Sequence, residues 1–116
     1  MIALSNDVRV YLATGITDMR KSIDTLSILV AQQMELDPLS GHLFAFCNRK
    51  RDTLKILYWD RNGFCLWHKR LERDRFRWPE SSAEVQAIGL RELRWLLDGL
   101  SIRQAAHDAL RYAIVS

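Results

Sequence analysis

The sequence predicts an α+β fold: a mostly antiparallel sheet of about four to five strands with a central hairpin, one amphipathic helix near the N-terminus and two C-terminal helices. Three observations predict it. Short β-rich runs cluster in the middle of the chain, between residues 42 and 78. Met19, Ile23, Leu26, Val30 and Met34 recur at spacings of four, three, four and four, one apolar stripe of a helix. Leu90, Leu93, Leu97 and Leu100 repeat a helical pattern towards the other end.

The elements follow in order. "VRVYLA" (8–13) alternates and is β-rich, so a strand is expected to end at Thr14-Gly15. Thr17 or Asp18 then offers an N-cap for a helix over about 18–34. "DPLSG" (37–41) breaks the chain, "HLFAFC" (42–47) reads as a short strand, and "NRKRD" (48–52) as a charged connection. Two longer strands are expected over about 53–60 and 64–72, with a further short one at Phe76 to Trp78 before Pro79 stops it. Residues 80–89 read two ways. Ser81-x-x-Glu84 fits a capping box, while "EVQAI" alternates like a strand. A helix over about 90–98 then meets a stop at Gly99, and Ser101 caps a last helix on Ile102, Ala105, Ala109 and Ala113. The chain of 116 residues suits a single domain, its core spanning 8–100, with 101–116 as a helical tail.

The hairpin turn allows two registers. Asp60-Arg61-Asn62-Gly63 suits a type I turn in a three-residue loop, which sets Trp59 opposite Cys65 and Leu57 opposite Trp67. A two-residue loop centred on Asn62-Gly63 sets Trp59 opposite Leu66 and Tyr58 opposite Trp67. Lys55 then faces Lys69 or Arg70, an unfavourable like-charge pair. Either register leaves both ribbon faces apolar near the turn. Both must be covered, or one meets a partner around Tyr58 and Phe64 or around Trp59 and Trp67.

Composition narrows the function classes. Hydrophobic residues make up 48% and charged residues 27%, which suits a soluble globular chain. No run approaches the roughly 18 apolar residues that span a bilayer. The start lacks a signal-peptide pattern, so a cytoplasmic location is expected. Cys47 and Cys65 are too few for a disulfide framework and read as buried thiols. The net charge of +3 is uneven. Residues 49–77 hold ten Lys/Arg against four acids, so that segment carries +6 and the remainder −3. Such asymmetry points to a directed basic surface.

Arg73, Arg75 and Arg77 recur at period two, so an extended chain puts them on one side and Glu72 and Asp74 on the other. An arginine row has a use where phosphates lie along it; the plainer use is to blunt an edge strand. Arg49, Lys50, Arg51, Lys55, Lys69, Arg70, Arg73, Arg75 and Arg77 are therefore the candidate nucleic-acid-binding residues. Tyr58, Trp59, Phe64 and Trp67 are the candidate partner-binding residues.

Catalytic and metal signals are weak. Cys65-x-x-His68 is half a zinc motif, but residues three apart on a strand point to opposite faces. The acids do not assemble into a two-metal carboxylate set, and neither a Gly-rich phosphate loop nor G-x-S-x-G occurs. No catalytic residue, metal or cofactor is expected. "LLDGLSIRQAAHDALRY" fits a helix-turn-helix only loosely, its last segment reading as the supporting helix, so packing helices are expected there.

"VRVYLATGITDMRKSID", "GHLFAFCNRKRD" and "LKILYWDRNGFCLWHKRLERDRFRWP" together resemble TnpB, the second-open-reading-frame product of the bacterial insertion-sequence family numbered sixty-six. The resemblance covers about 8–79 and continues more weakly through "LRELRWLLDGL". It implies a non-catalytic accessory role in transposition, beside a separate, larger transposase. Partners implied are that transposase and, through the basic residues, DNA of the transposon ends; self-association is a further form of partnership. The family pattern supplies no site residues to carry over. Two positions depart from it: a glycine is usual where Asp74 stands, and an acidic residue with tryptophan where Ser101-Ile102 stands.

Overall fold

A computed structural model describes residues 7–100. In chain order these form β1 (Val10–Ala13), α1 (Ile23–Gln32), β2 (Leu43–Cys47), β3 (Thr53–Asp60), β4 (Gly63–Arg70), β5 (Val85–Ile88) and α2 (Leu90–Leu97). The five strands make one sheet in the order β4-β3-β2-β1-β5. The expected last helix lies outside the described residues.

The α+β class holds, but the sheet is mixed rather than mostly antiparallel. β1 and β2 run parallel, Val10 beside Leu43 and Leu12 beside Ala45. α1 is the crossover between them, as a parallel neighbour requires. The β3–β4 hairpin lies on one side of the sheet, not at its centre. β2 is the central strand, buried from end to end, which explains its unbroken apolar run "LFAFC".

The α1 stripe faces the sheet. Leu26, Val30 and Met34 are buried with Phe44, Phe46 and Leu57, and Met19 and Ile23 pack at the margin. The helix is shorter than its stripe. It starts at Ile23 after Ser22, not at Thr17 or Asp18: the Asp18 carboxylate accepts from the Arg20 amide and guanidinium, but the turn that it opens closes at Lys21 and does not run on into the helix. At the other end Glu35 takes a left-handed conformation (φ 55) that stops helical continuation.

Neither expected hairpin register occurs. Asp60 pairs with Gly63, Trp59 with Phe64 and Leu57 with Leu66, leaving a two-residue loop of Arg61-Asn62. Arg61 supplies the positive φ (52°) at the first loop position, which a tight hairpin uses to match strand twist. The shift re-sorts the side chains. Leu57, Trp59, Phe64 and Leu66 share the α1 face, while Ile56, Tyr58, Cys65 and Trp67 share the other. Lys55 now faces His68 rather than Lys69 or Arg70, so the expected like-charge pair is avoided.

The face opposite α1 is covered by α2, through Leu93 and Leu96, and by the segment 71–84. That segment leaves β4 on one edge and reaches β5 on the other, strapping the sheet. β4 ends at Arg70, and Phe76 to Trp78 is not a strand. Burial alternates along these residues, but no strand among the described residues pairs with them; Phe76 and Trp78 turn into the core, and the Trp78 indole donates to the Ala13 carbonyl at 2.9 Å. Residues 85–88 resolve as strand, paired antiparallel with β1 from Val10–Ile88 to Ala13–Val85. α2 opens with the Gly89 amide donating to the Glu92 carboxylate at 3.1 Å and closes at Gly99, whose φ of 82° admits glycine readily.

Candidate nucleic-acid interface

Three chain segments meet at one end of the sheet: the β2–β3 turn (48–52), the last residues of β4, and the first residues of the strap. The β3–β4 pairing brings Arg70 beside Thr53, immediately after the turn. Two backbone bonds then pin the strap to the turn. The Leu71 amide donates to the Asp52 carbonyl at 2.8 Å, and the Phe76 amide to the Arg51 carbonyl at 2.6 Å.

The turn itself is clamped from within. The Asn48 side-chain carbonyl accepts from the amides of Asp52 and Thr53, each at 3.1 Å, and its amide donates to the Asp52 carboxylate at 2.7 Å. That last bond holds the Asp52 carboxyl below its ordinary pKa, helped by the Thr53 hydroxyl and Lys50 and opposed by burial. Arg49 and Lys50 are thereby displayed on a fixed loop, and Arg51 is half-buried beside them.

Most of the candidate basic residues are brought together there. Arg49, Lys50, Arg73, Arg75 and Arg77 are exposed and make no ion pair among the described residues. Arg70 is exposed and 3.5 Å from Glu72. Two lysines are committed to the fold. The Lys55 ammonium donates to the carbonyls of Met19 (2.7 Å) and Lys21 (3.0 Å), tying β3 to the loop before α1. The Lys69 ammonium donates to the Leu97 carbonyl at 3.0 Å, at the C-terminal end of α2 where a cation is favoured.

The acids do not separate from the arginines as alternation suggested. Arg75 and Arg77 do point outward while Phe76 and Trp78 point inward. Asp74, however, is exposed and lines the same groove as Arg73, Arg75 and Arg77. Its left-handed backbone (φ 65) is what breaks the alternation. The groove also takes in Arg51 and Asp98 and encloses about 640 Å³. Across the turn lies a second, shallower depression of about 710 Å³, bordered by Asp18, Met19, Arg49 and Lys50. Sequence reasoning left out Arg20 and Lys21, which follow Met19 in the chain. The Arg20 guanidinium holds the Asp18 carboxyl down to about 2, mainly through its hydrogen bonds. The only signal for these two was the pair "RK" within "TDMRKS", too short to stand out by charge counting.

The aromatic candidates are distributed differently. Tyr58 is buried, its hydroxyl raised in pKa first by desolvation and then by Cys65. Trp67 packs half-buried against the same core. Trp59 and Phe64 stand edge to face, ring centres 5.1 Å apart, on the hairpin tip that extends past the end of the β2 pairing. Cys47 is buried and Cys65 half-buried, and both are free thiols. Cys65 and His68 lie on opposite faces of β4. Among the described residues no three His, Cys, Asp or Glu side chains converge on a point that would hold a metal, and no helix is long and apolar enough to cross a membrane.

The profile of the family described as "IS66 Orf2 like protein" matches residues 8–107. Two proteins of Sinorhizobium fredii (strain NBRC 101917 / NGR234) are similar to the chain. Uncharacterized protein y4hO is 41% identical over 103 residues, covering 89% of this chain and 90% of that protein. Uncharacterized protein y4jC is 32% identical over 100 residues, covering 86% of each. No solved structure matches.

Proposed function

This chain belongs to the IS66 Orf2-like family of insertion-sequence accessory proteins, and on that footing we propose that it is a non-catalytic factor in transposition that binds DNA through its basic end and acts in the cytoplasm beside the cognate transposase. One observation carries the reading. Five exposed cations without ion pairs among the described residues, Arg49, Lys50, Arg73, Arg75 and Arg77, come from two segments that fold onto each other at one end of the sheet. A solvated edge does not need such convergence, and the edge strand β4 contributes none of the five. Binding of this kind is to phosphate rather than to bases, so it is weakly selective for sequence and steep in salt.

A salt titration of duplex binding tests it. With about five phosphates neutralised, the slope of log K against log salt is about −4.5, so affinity falls about 500-fold between 50 and 200 mM. Binding that is absent at low salt, or flat across this range, removes DNA as the partner.

A second reading keeps the accessory role but makes the contact protein alone. It is favoured by the Trp59–Phe64 pair, half-exposed at the hairpin tip. Here Trp59→Ala abolishes co-purification with the transposase, while substitutions at the basic end leave it intact. Recovery of the transposase with Trp59→Ala as with the wild type excludes this contact.

A further inference from the structure

Resting on the DNA-binding reading, we infer that the groove between the strap and the β2–β3 turn is a seat for phosphate groups, with Arg51 in its lining. Among the described residues the groove is lined by Arg51, Arg73, Arg75 and Arg77, with Asp74 and Asp98 as its acids, a net charge of +2. The arginine side chains at 73, 75 and 77 reach it from the exposed side of the strap.

Arg51 is different from the rest. Its Nη1 is shut off from solvent and has no hydrogen-bond partner among the described residues. A cationic donor without an acceptor is among the costliest groups to bury, and native chains leave few of them. Its backbone is also held in the left-handed region (φ 60), where a residue with a Cβ is strained and glycine would be relaxed. The turn carries both costs to keep a guanidinium at this point. Strained residues of this kind concentrate where a ligand is held. Part of the guanidinium is turned towards the Cys47 thiol, where it offsets some of the upward push that burial gives that group. The thiol is a weak acceptor and does not satisfy Nη1.

The chemistry of an acceptor that suits this groove follows from the lining. One carboxylate is matched by one guanidinium fork, whereas a phosphate offers several oxygens and draws several donors. Four arginines around one groove suit the second. A phosphodiester of a DNA strand and free inorganic phosphate share this chemistry.

The full chain is titrated with inorganic phosphate while the Arg51 side-chain Nε resonance is followed by ¹⁵N NMR. Duplex affinity is measured in parallel for wild type, Arg51→Met, Arg75→Gln and Arg61→Met. Arg61 sits at the hairpin turn, so it loses the same charge without touching the groove. The expected result is a saturable phosphate shift at Arg51, weakened in Arg75→Gln. Duplex affinity at 100 mM salt falls about tenfold or more in Arg51→Met, with the salt slope shallower by about one, and hardly changes in Arg61→Met. Arg75 is exposed, so Arg75→Gln reports on the groove even where Arg51→Met fails to fold. If Arg51 does not respond to phosphate and Arg51→Met and Arg75→Gln bind duplex as Arg61→Met does, the seat is refuted, while salt-dependent wild-type binding leaves the DNA reading standing. If Arg51 responds to phosphate but the wild type binds no duplex, the seat stands for free phosphate and the DNA reading falls.

Discussion

Asp74→Gly is expected to raise stability and DNA affinity together, and Asp74→Asn to raise only the second. Asp74 sits at φ 65, in the region that residues with a Cβ avoid. Relief of that conformation is worth about 1–2 kcal/mol for most side chains and less for Asp, which visits it more readily. Glycine gives back about 0.5–1 kcal/mol through the extra freedom of the unfolded chain. The net is a gain of about 0.5 kcal/mol, or about 2–4 °C in Tm for a chain of this size. Asparagine tolerates the left-handed region as aspartate does, so Asp74→Asn leaves Tm close to wild type. Both substitutions delete a negative charge from a groove lined by Arg73, Arg75 and Arg77. An exposed unit charge a few ångströms away is worth about 0.5–1 kcal/mol at low salt, a two- to fivefold gain in affinity. Thermal melts and duplex titrations at 50 mM salt on the three proteins separate the effects. Asp74→Gly melting at or below the wild-type temperature refutes the assignment of backbone strain. Unchanged duplex affinity in both variants refutes the claim that this carboxylate opposes the bound phosphates. The expectation has an evolutionary side: the resemblance noted above placed glycine at this position, and the geometry shows why glycine suits it.

Other substitutions divide the fold from the interface. Lys55→Met strands the carbonyls of Met19 and Lys21, so it should cost about 1–3 kcal/mol in urea melts while duplex affinity of the folded protein changes little. Trp78→Phe keeps the ring in the core but loses the bond to the Ala13 carbonyl, costing about 0.5–2 kcal/mol, whereas Phe76→Ala empties a buried site and costs about 3–5 kcal/mol; chemical denaturation ranks the two. Asp18 carries a lowered pKa of about 2 in the folded chain, so its contribution to stability is complete above the unfolded value near 4 and is lost as pH falls from there through 2. Melts of Asp18→Asn should therefore lack that part of the acid dependence seen in the wild type between pH 4 and 2.

The parts of the fold legible in the sequence were those set by short-range periodicity. The stripe from Met19 to Met34 encodes a helix face whatever it packs on, and it meets the sheet as expected. Its start was not legible, because Asp18 opens only a single turn that closes at Lys21, and the helix begins anew at Ile23. The hairpin was legible but its register was not. Arg61 accepts a positive φ for which glycine is the usual signal, and the face assignments of Trp59 and Tyr58 moved with it. The parallel β1–β2 pair had a local trace in the succession strand, helix, strand over residues 8–47. The antiparallel docking of β5 on the other side of β1, a contact across more than seventy residues, has no such local trace.

The basic surface was legible for a more general reason. Period-two alternation belongs to an extended chain, not to a sheet, so Arg75 and Arg77 face outward although the segment bearing them is a strap. What alternation omitted was the reason for the strap's position: Phe76 and Trp78 are its anchors, and burying both rings turns the flanking Arg75 and the intervening Arg77 into solvent. The same anchoring brings the Phe76 amide onto the Arg51 carbonyl, so it also sets the strap arginines beside the turn. Core and interface are therefore coupled at Phe76. A conservative change such as Phe76→Leu, costing about 1–2 kcal/mol of packing, should loosen the strap and lower duplex affinity without removing any charge. Hydrogen exchange at the Phe76 amide, compared with β2 amides, checks the first effect, and the salt slope checks the second. A loosened strap with an unchanged affinity and slope would mean that the arginines bind independently of their scaffold, and that the groove contributes nothing beyond charge.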